Sequence, residues 1–248
     1  MYWTREEVTN KYIFKYSDGK DPISEADRNK IISDLAEGMP GMKVKDYFEN
    51  QLEIFNKYEI VLCAIDKETN KYVGIFGSKW YENYDTPFLY LWTAFVAAQY
   101  QGSILFLEMA MRHIKDSMAE SKDLKLIVTK TYHPTVYRTL EMFSKNAKLN
   151  LYPSIDIDNH EHLLAEDARK IANIVAPVAK LDEKTGALVD GMATAGIEFY
   201  SERPTCSVQA INEYFAAALN TYDQMLCIIK FDQEGSLNKC LELLNKMK

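Results

Sequence analysis

The chain has 248 residues, 47% of them hydrophobic and 26% charged, with only 10 Gly and 7 Pro, which excludes a collagen, low-complexity disorder and a disulfide scaffold. Lys plus Arg is 29 against 36 Asp plus Glu, a net charge of -7 without a basic block, so duplex nucleic acid is not an expected partner. The length suits one enlarged domain, or a domain with a subdomain.

Cys63, Cys206, Cys227 and Cys240 lie far apart with no CxxC pair, which fits a reducing cytoplasm. The opening MYWTREEVTNKY lacks the charged start and apolar run of a signal peptide. No window approaches the roughly 18 apolar residues of a spanning helix, so no membrane is expected.

Taken in chain order, Asn10 to Tyr16 alternates around Tyr12 and Phe14 and predicts a short strand closed by Asp18-Gly19. Ser24 with Asp27 three residues on predicts a helix N-cap, Ile31, Ile32 and Leu35 one apolar face, and Gly38, Pro40 and Gly41 the stop. A second helix carries the stripe Val44, Phe48, Leu52 and Phe55. From Glu59 the period changes: EIVLCAID and KYVGIFGSKWY predict a hairpin around Lys67 to Asn70, and Phe88 to Val96 a third antiparallel strand.

Gly102 then opens a helix with the stripe Ile104, Leu107, Met111, Ile114 and Met118, and Lys125 to Thr131 predicts the next strand, at the spacing of a crossover unit. A helix with Pro134 in its first turn runs through Tyr137, Leu140 and Phe143. After Asn150 the pattern reads as a polar loop, a helix near His162 to Ala176, a Gly-spaced loop and a helix near Ser207 to Leu219. Gln224 to Phe231 is a buried strand expected to rejoin the main sheet, and Leu237, Leu241 and Leu244 mark a terminal helix.

The segment from Leu91 to Ile114 carries the chemistry, because a strand there turns directly into a helix whose first amides lack intrahelical partners. Such a corner favours anions, and a glycine lets a phosphate approach the backbone. These residues resemble the GNAT superfamily of acyl-CoA-dependent N-acyltransferases, whose pyrophosphate loop follows the fourth strand as a Gln/Arg-x-x-Gly-x-Gly/Ala run. The order of elements is similar too: two helices after the first strand, an antiparallel hairpin, then strand, loop, helix and strand.

The resemblance implies an α/β (α+β) fold with a mixed, mostly antiparallel central sheet flanked by helices and a helical C-terminal elaboration. Residues 1–150 would be the core, 151–221 a mainly helical elaboration, and 222–248 the last core strand and a helix. It implies acetyl-CoA or another acyl-CoA as co-substrate and a small-molecule or protein amine as acceptor, with oligomeric state left open. Backbone amides at Phe95 or Val96 would polarise the thioester carbonyl, and those of Gln101, Gly102, Ser103 and Ile104 would hold the pyrophosphate.

The loop departs from the family pattern. Aligned on Tyr100-Gln101-Gly102-Ser103, the later small positions hold Ile104 and Phe106, and with Gln99 as the first residue Ile104 again stands where Gly or Ala is expected. A β-branched side chain there crowds a pyrophosphate, so a protein that has lost catalysis and works by binding a partner is the second expectation.

The resemblance also points to TKTYHPTVYRTLEMF, where Tyr137 would protonate the leaving thiolate and His133, at the strand end, would accept the amine proton. The bland alternatives are ring packing for Tyr137 and capping for His133. Asp156 to His162 crowds metal-ligand side chains without a calcium-loop or HExxH spacing, so no metal is expected. Gly186, Gly191 and Gly196, five apart, suggest a mobile lid or an ordinary connection, and Trp80, Tyr81, Tyr84, Tyr90 and Trp92 suggest sheet-face packing.

Overall fold

A computed structural model describes residues 3–19, 23–51, 53–82, 84–85, 87–101, 104–119, 124–155, 164–192, 199–231 and 242. The fold is mixed α/β, mostly antiparallel in its strands and flanked by helices. The chain forms two compact units. The first comprises Met1–Tyr81, Leu89–Asp123 and Phe199–Ser201, the second Glu82–Phe88, Leu124–Glu198 and Glu202–Lys248.

The first unit holds β1 (Arg5–Val8), β2 (Tyr12–Ser17), α1 (Glu25–Gly38), α2 (Val44–Glu49), α3 (Ile54–Lys57), β3 (Ile60–Asp66), β4 (Lys71–Tyr81), all but the first residue of β5 (Phe88–Val96), and α4 (Leu105–Ala119). Its strands follow in the order β1, β2, β3, β4, β5, with the first four antiparallel neighbours in register. Ser24 caps α1 as its sequence requires: its hydroxyl accepts from the Asp27 amide at 3.2 Å and donates to the Asp27 carboxylate at 2.7 Å. The helix expected from Val44 through Phe55 is two short helices instead, with the Asn50 amide on Asp46 O and the Ile54 amide on Gln51 O between them; Leu52 of the expected stripe lies outside the described residues. β1 was not foreseen; its REEV is charged and mostly exposed, as suits an edge strand.

The β3/β4 register sets what each face of this sheet carries. Leu62 opposite Phe76 and Ala64 opposite Gly74 face α4, where they pack with Phe14, Leu105 and Met109. Val61 opposite Gly77 lies on the other face, where the Tyr58 ring covers Gly77 so closely that a Cβ there would stand 2.5 Å from Tyr58 Cε1. Between Ala64 and Ile65 the register shifts, so that Ile65 faces Tyr72 and Val73 is the extra residue.

The second unit holds β6 (Leu126–Thr131), α5 (Pro134–Ala147), β7 (Asn150–Tyr152), α6 (Ala165–Val175), β8 (Lys180–Asp182), β9 (Ala187–Val189), α7 (Gln209–Ala218) and β10 (Gln224–Lys230). β10 pairs antiparallel with β6 along one side, and with β7 and β9 along the other, while β8 closes on β9. The late strand thus pairs as the sequence reading expects. The stretch from 151 to 221, expected to be mainly helical, also contributes β7, β8 and β9. Gly186, at φ +78, completes the β8/β9 turn, where Gly is the residue that enters the left-handed region without a Cβ penalty. Ala187 and Leu188 are buried, so the lid expected at Thr185 to Gly196 begins as a docked hairpin; residues 193–196 lie outside the described residues.

Asp156 to His162 and the terminal helix with Leu237, Leu241 and Leu244 also lie outside the described residues. Among the described residues, no helix is long and apolar enough to cross a membrane, and no group of three or more His, Cys, Asp or Glu is placed to hold a metal.

Candidate functional site

β5 ends at Val96, and the chain turns through a short 3-10 segment, Ala98–Tyr100, before α4 begins at Leu105. The turn is fixed by hydrogen bonds within the first unit. The Ala97 amide donates to Val73 O at 2.9 Å, the bulge residue of β4, and the Tyr100 amide returns to Ala97 O at 2.9 Å. Tyr100 is buried, meets the Tyr12 ring edge-on, and donates its hydroxyl to the Asp66 carboxylate at 2.8 Å. Burial and the adjacent Asp66 charge push the Tyr100 phenol up to about 12, so it stays a donor at neutral pH. Two backbone amides and the Thr69 hydroxyl also donate to Asp66, which holds its pKa below the ordinary carboxylate value despite burial.

Phe95, Val96, Gln101 and Ile104 come together at this corner, while Gly102 and Ser103 lie outside the described residues. The Phe95 ring stacks on Phe199 with centroids 5.4 Å apart and meets Tyr47 edge-on at 5.2 Å. Gln101 sits at the surface; its amide donates to Ala98 O at 3.1 Å and its side chain reaches Val96 O at 3.3 Å. The Gln101 amide, expected to hold a pyrophosphate, is therefore spent on the turn.

Ile104 is 53% exposed and its carbonyl accepts the Glu108 amide, so it stands just ahead of α4 rather than in the helix's buried stripe. That removes Ile104 from the expected stripe, of which Met111 and Ile114 are buried as expected. The wholly buried line of α4 is Leu105, Met109, His113 and Ser117, four apart, against β3 and β4. The phase was missed because two of its four members are polar. His113 Nε2 lies 2.8 Å from Ser78 Oγ, and Ser117 donates to His113 O at 2.8 Å. Burial lowers the His113 pKa to about 3, so the ring is neutral.

A second buried polar group also lay outside the sequence reading. Thr93 Oγ1 on β5 meets Tyr58 Oη at 2.5 Å and Tyr47 Oη at 3.1 Å. Burial pushes the Tyr47 phenol up to about 12 and raises Tyr58 well above its ordinary value, so both hydroxyls keep their protons.

Tyr137 and His133 belong to the second unit, at the first turn of α5 and its N-cap. His133 Nδ1 accepts the Thr135 amide at 3.2 Å, and burial lowers the ring to about 4, which leaves it neutral with the remaining proton on Nε2. Tyr137 is 1% exposed, packs edge-on against Phe215 at 5.7 Å, and donates its hydroxyl to Pro153 O at 2.8 Å. Burial raises its phenol well above the ordinary value.

No family model and no curated protein matches the chain. Among solved structures it is similar to a putative GNAT-family acetyltransferase from Desulfovibrio desulfuricans, at 15% identity and a TM-score of 0.40, over 53% of this chain and 82% of that one. It is similar also to a GNAT-family acetyltransferase from Staphylococcus aureus Mu50, at 14% identity and a TM-score of 0.40, over 58% of this chain and 89% of that one. A third is the GNAT-family N-acetyltransferase YhbS from Escherichia coli in complex with CoA, at 14% identity and a TM-score of 0.39, over 54% and 69%. Likenesses of this size leave the function to be argued from the chain's own residues.

Proposed function

We propose that this protein is a GNAT-like N-acyltransferase that moves an acyl group from an acyl-CoA to an amine. The observation that carries the reading is the β5–turn–α4 corner, locked by Tyr100 on Asp66 and by Ala97 on the β4 bulge. A 15-residue helix begins there with its positive end and first-turn amides at the turn. Amides at Phe95 or Val96 polarise the thioester carbonyl, and the Ile104 amide ahead of α4 meets the pyrophosphate.

Amine attack on the thioester forms the amide bond and expels the CoA thiolate, so catalysis consists of positioning and two proton transfers. Tyr137 is the candidate acid: its phenol is protonated at neutral pH, and its hydroxyl donates to Pro153 O. His133 is neutral, as a base must be, and its one lone pair, on Nδ1, becomes available when the Thr135 amide is released. Cys63 and Cys227 are buried outside any disulfide, which suits a cytoplasmic setting for this chemistry.

Calorimetric titration with acetyl-CoA, a longer acyl-CoA and free CoA tests the reading. Micromolar binding that depends on acyl length supports it, with amine screening to follow; absence of binding by all three sinks it. The exposed Ile104 favours a second reading, a GNAT-like protein that binds a partner without catalysis. Ile104→Gly separates the two: coenzyme affinity that rises in the variant marks a loop obstructed only by that side chain, and unchanged absence of binding favours the partner-binding protein.

A further inference from the structure

The β6/β10 register assigns the two faces of the second unit's sheet. Thr131 opposite Met225 and Thr129 opposite Cys227 share one face, where Met225 and Cys227 pack with Tyr137, Ile211 and Phe215. Lys130 opposite Leu226, Val128 opposite Ile228 and Leu126 opposite Lys230 share the other, against which α6 lies. Each end of that helix meets a lysine. Lys230 Nζ is 2.9 Å from Asp167 in the first turn, and Lys130 Nζ donates to the carbonyl of Val175, the last residue, at 3.2 Å. Eight helical residues rise about 12 Å, and four strand residues about 13 Å, so the helix runs along the strand between its two lysines.

The two lysines differ in what they meet. Lys230 has a carboxylate; Lys130, among the described residues, has a peptide carbonyl and apolar neighbours. The charged groups of α6 are engaged elsewhere: Glu166 with Lys170, Asp167 with Lys230, and Arg169 with Glu183. The β10 residues on the same face beside it, Leu226 and Ile228, carry no charge, and Gln224, one step further, has a buried Oε1 without a donor among the described residues. Lys130 is desolvated but still partly exposed as a residue.

We propose that Lys130 is an acyl-accepting amine, modified by acyl thioesters in preference to the protein's other lysines. Desolvation, with no carboxylate among the described residues to offset it, brings its pKa down to about 8, so a sizeable share of the side chain is neutral amine at physiological pH. One N–H stays on Val175 O, and the nitrogen lone pair attacks the thioester carbonyl carbon. The C–S bond breaks as the N–C bond forms, and the proton lost by nitrogen goes to the departing thiolate, leaving amide and thiol. Acylation removes the charge that Val175 O accepts from, at the negative end of α6. The proposal rests on the acyltransferase reading only for the natural donor.

The test uses the native protein, incubated at pH 7.4 in separate arms with acetyl-CoA and with S-acetyl-N-acetylcysteamine, a thioester without the nucleotide, followed by peptide mass spectrometry over time. Lys130 is expected to be acetylated about tenfold faster than the exposed Lys45 and Lys170, with a rate that levels off above about pH 8 while theirs keeps rising. Lys130→Arg keeps a cation for Val175 O and removes the label from that peptide. Acetylation of Lys130 no faster than of Lys45 and Lys170, in both arms, overturns the proposal. Fast labelling by the cysteamine thioester with no binding of acetyl-CoA upholds the reactive amine and removes the acyl-CoA reading alone.

Discussion

Ser78 on β4 and His113 on α4 meet at 2.8 Å through Oγ and Nε2, both fully buried, and this hydroxyl is the only partner of the imidazole ring nitrogens among the described residues. Among the described residues no carboxylate favours the imidazolium, and burial brings the ring's pKa down to about 3. The unfolded chain binds a proton near 6.5 that the folded chain refuses until about 3. Stability therefore falls as pH drops through that window and is fully present above it. Chemical denaturation between pH 7.5 and pH 4 is expected to show this slope, and the double variant Ser78→Ala/His113→Leu to flatten it. An unchanged slope in the variant assigns the acid sensitivity to other groups.

Gly77 is where the Tyr58 ring lies against the sheet, with 2.5 Å left for a Cβ. Gly77→Ala is expected to destabilise the protein by about 1–3 kcal/mol, because ring and strand must separate. The shift should appear in the denaturation midpoint with the slope unchanged.

Thr93 holds two phenols on one hydroxyl oxygen, and all three groups are buried. Tyr47→Phe and Tyr58→Phe should each cost about 1 kcal/mol. The double variant should cost more than the sum, since Thr93 is left unsatisfied only once both phenols are gone. A strictly additive cycle would show that the phenols bind Thr93 independently.

Tyr137→Phe removes one hydroxyl and its bond to Pro153 O, with a stability loss of about 1 kcal/mol expected from that bond. If Tyr137 supplies the proton to the thiolate, turnover falls about 10²-fold or more while the KM for acyl-CoA holds. A variant with full turnover and the same stability loss leaves Tyr137 as a packing residue.

The sequence made some elements plain and hid others for physical reasons. β5 has the expected bounds, Phe88–Val96, and Ser24 caps α1, because a long apolar run and an N-cap are local signals. β7, β8 and β9 are three residues each, too short for alternation to register, and exist as strands because β10 and each other supply their partners. At the candidate site, the strand and helix flanking the corner were legible. The placement of Ile104 was not, since finding the buried line of α4 requires knowing that His113 and Ser117 are paid for by hydrogen bonds across the packing.

β10 occupies Gln224–Lys230, yet β6, β7 and β9 all pair with it. During synthesis those three strands leave the ribosome well before their shared partner, so the second unit has no way to complete its hydrogen-bonded ladder until residue 230 has emerged. The antiparallel ladder from β1 to β4, by contrast, joins sequence neighbours and can close as it is made. A nascent chain stalled before Gln224 would present three open strand edges, the surfaces on which chaperones act and aggregates begin.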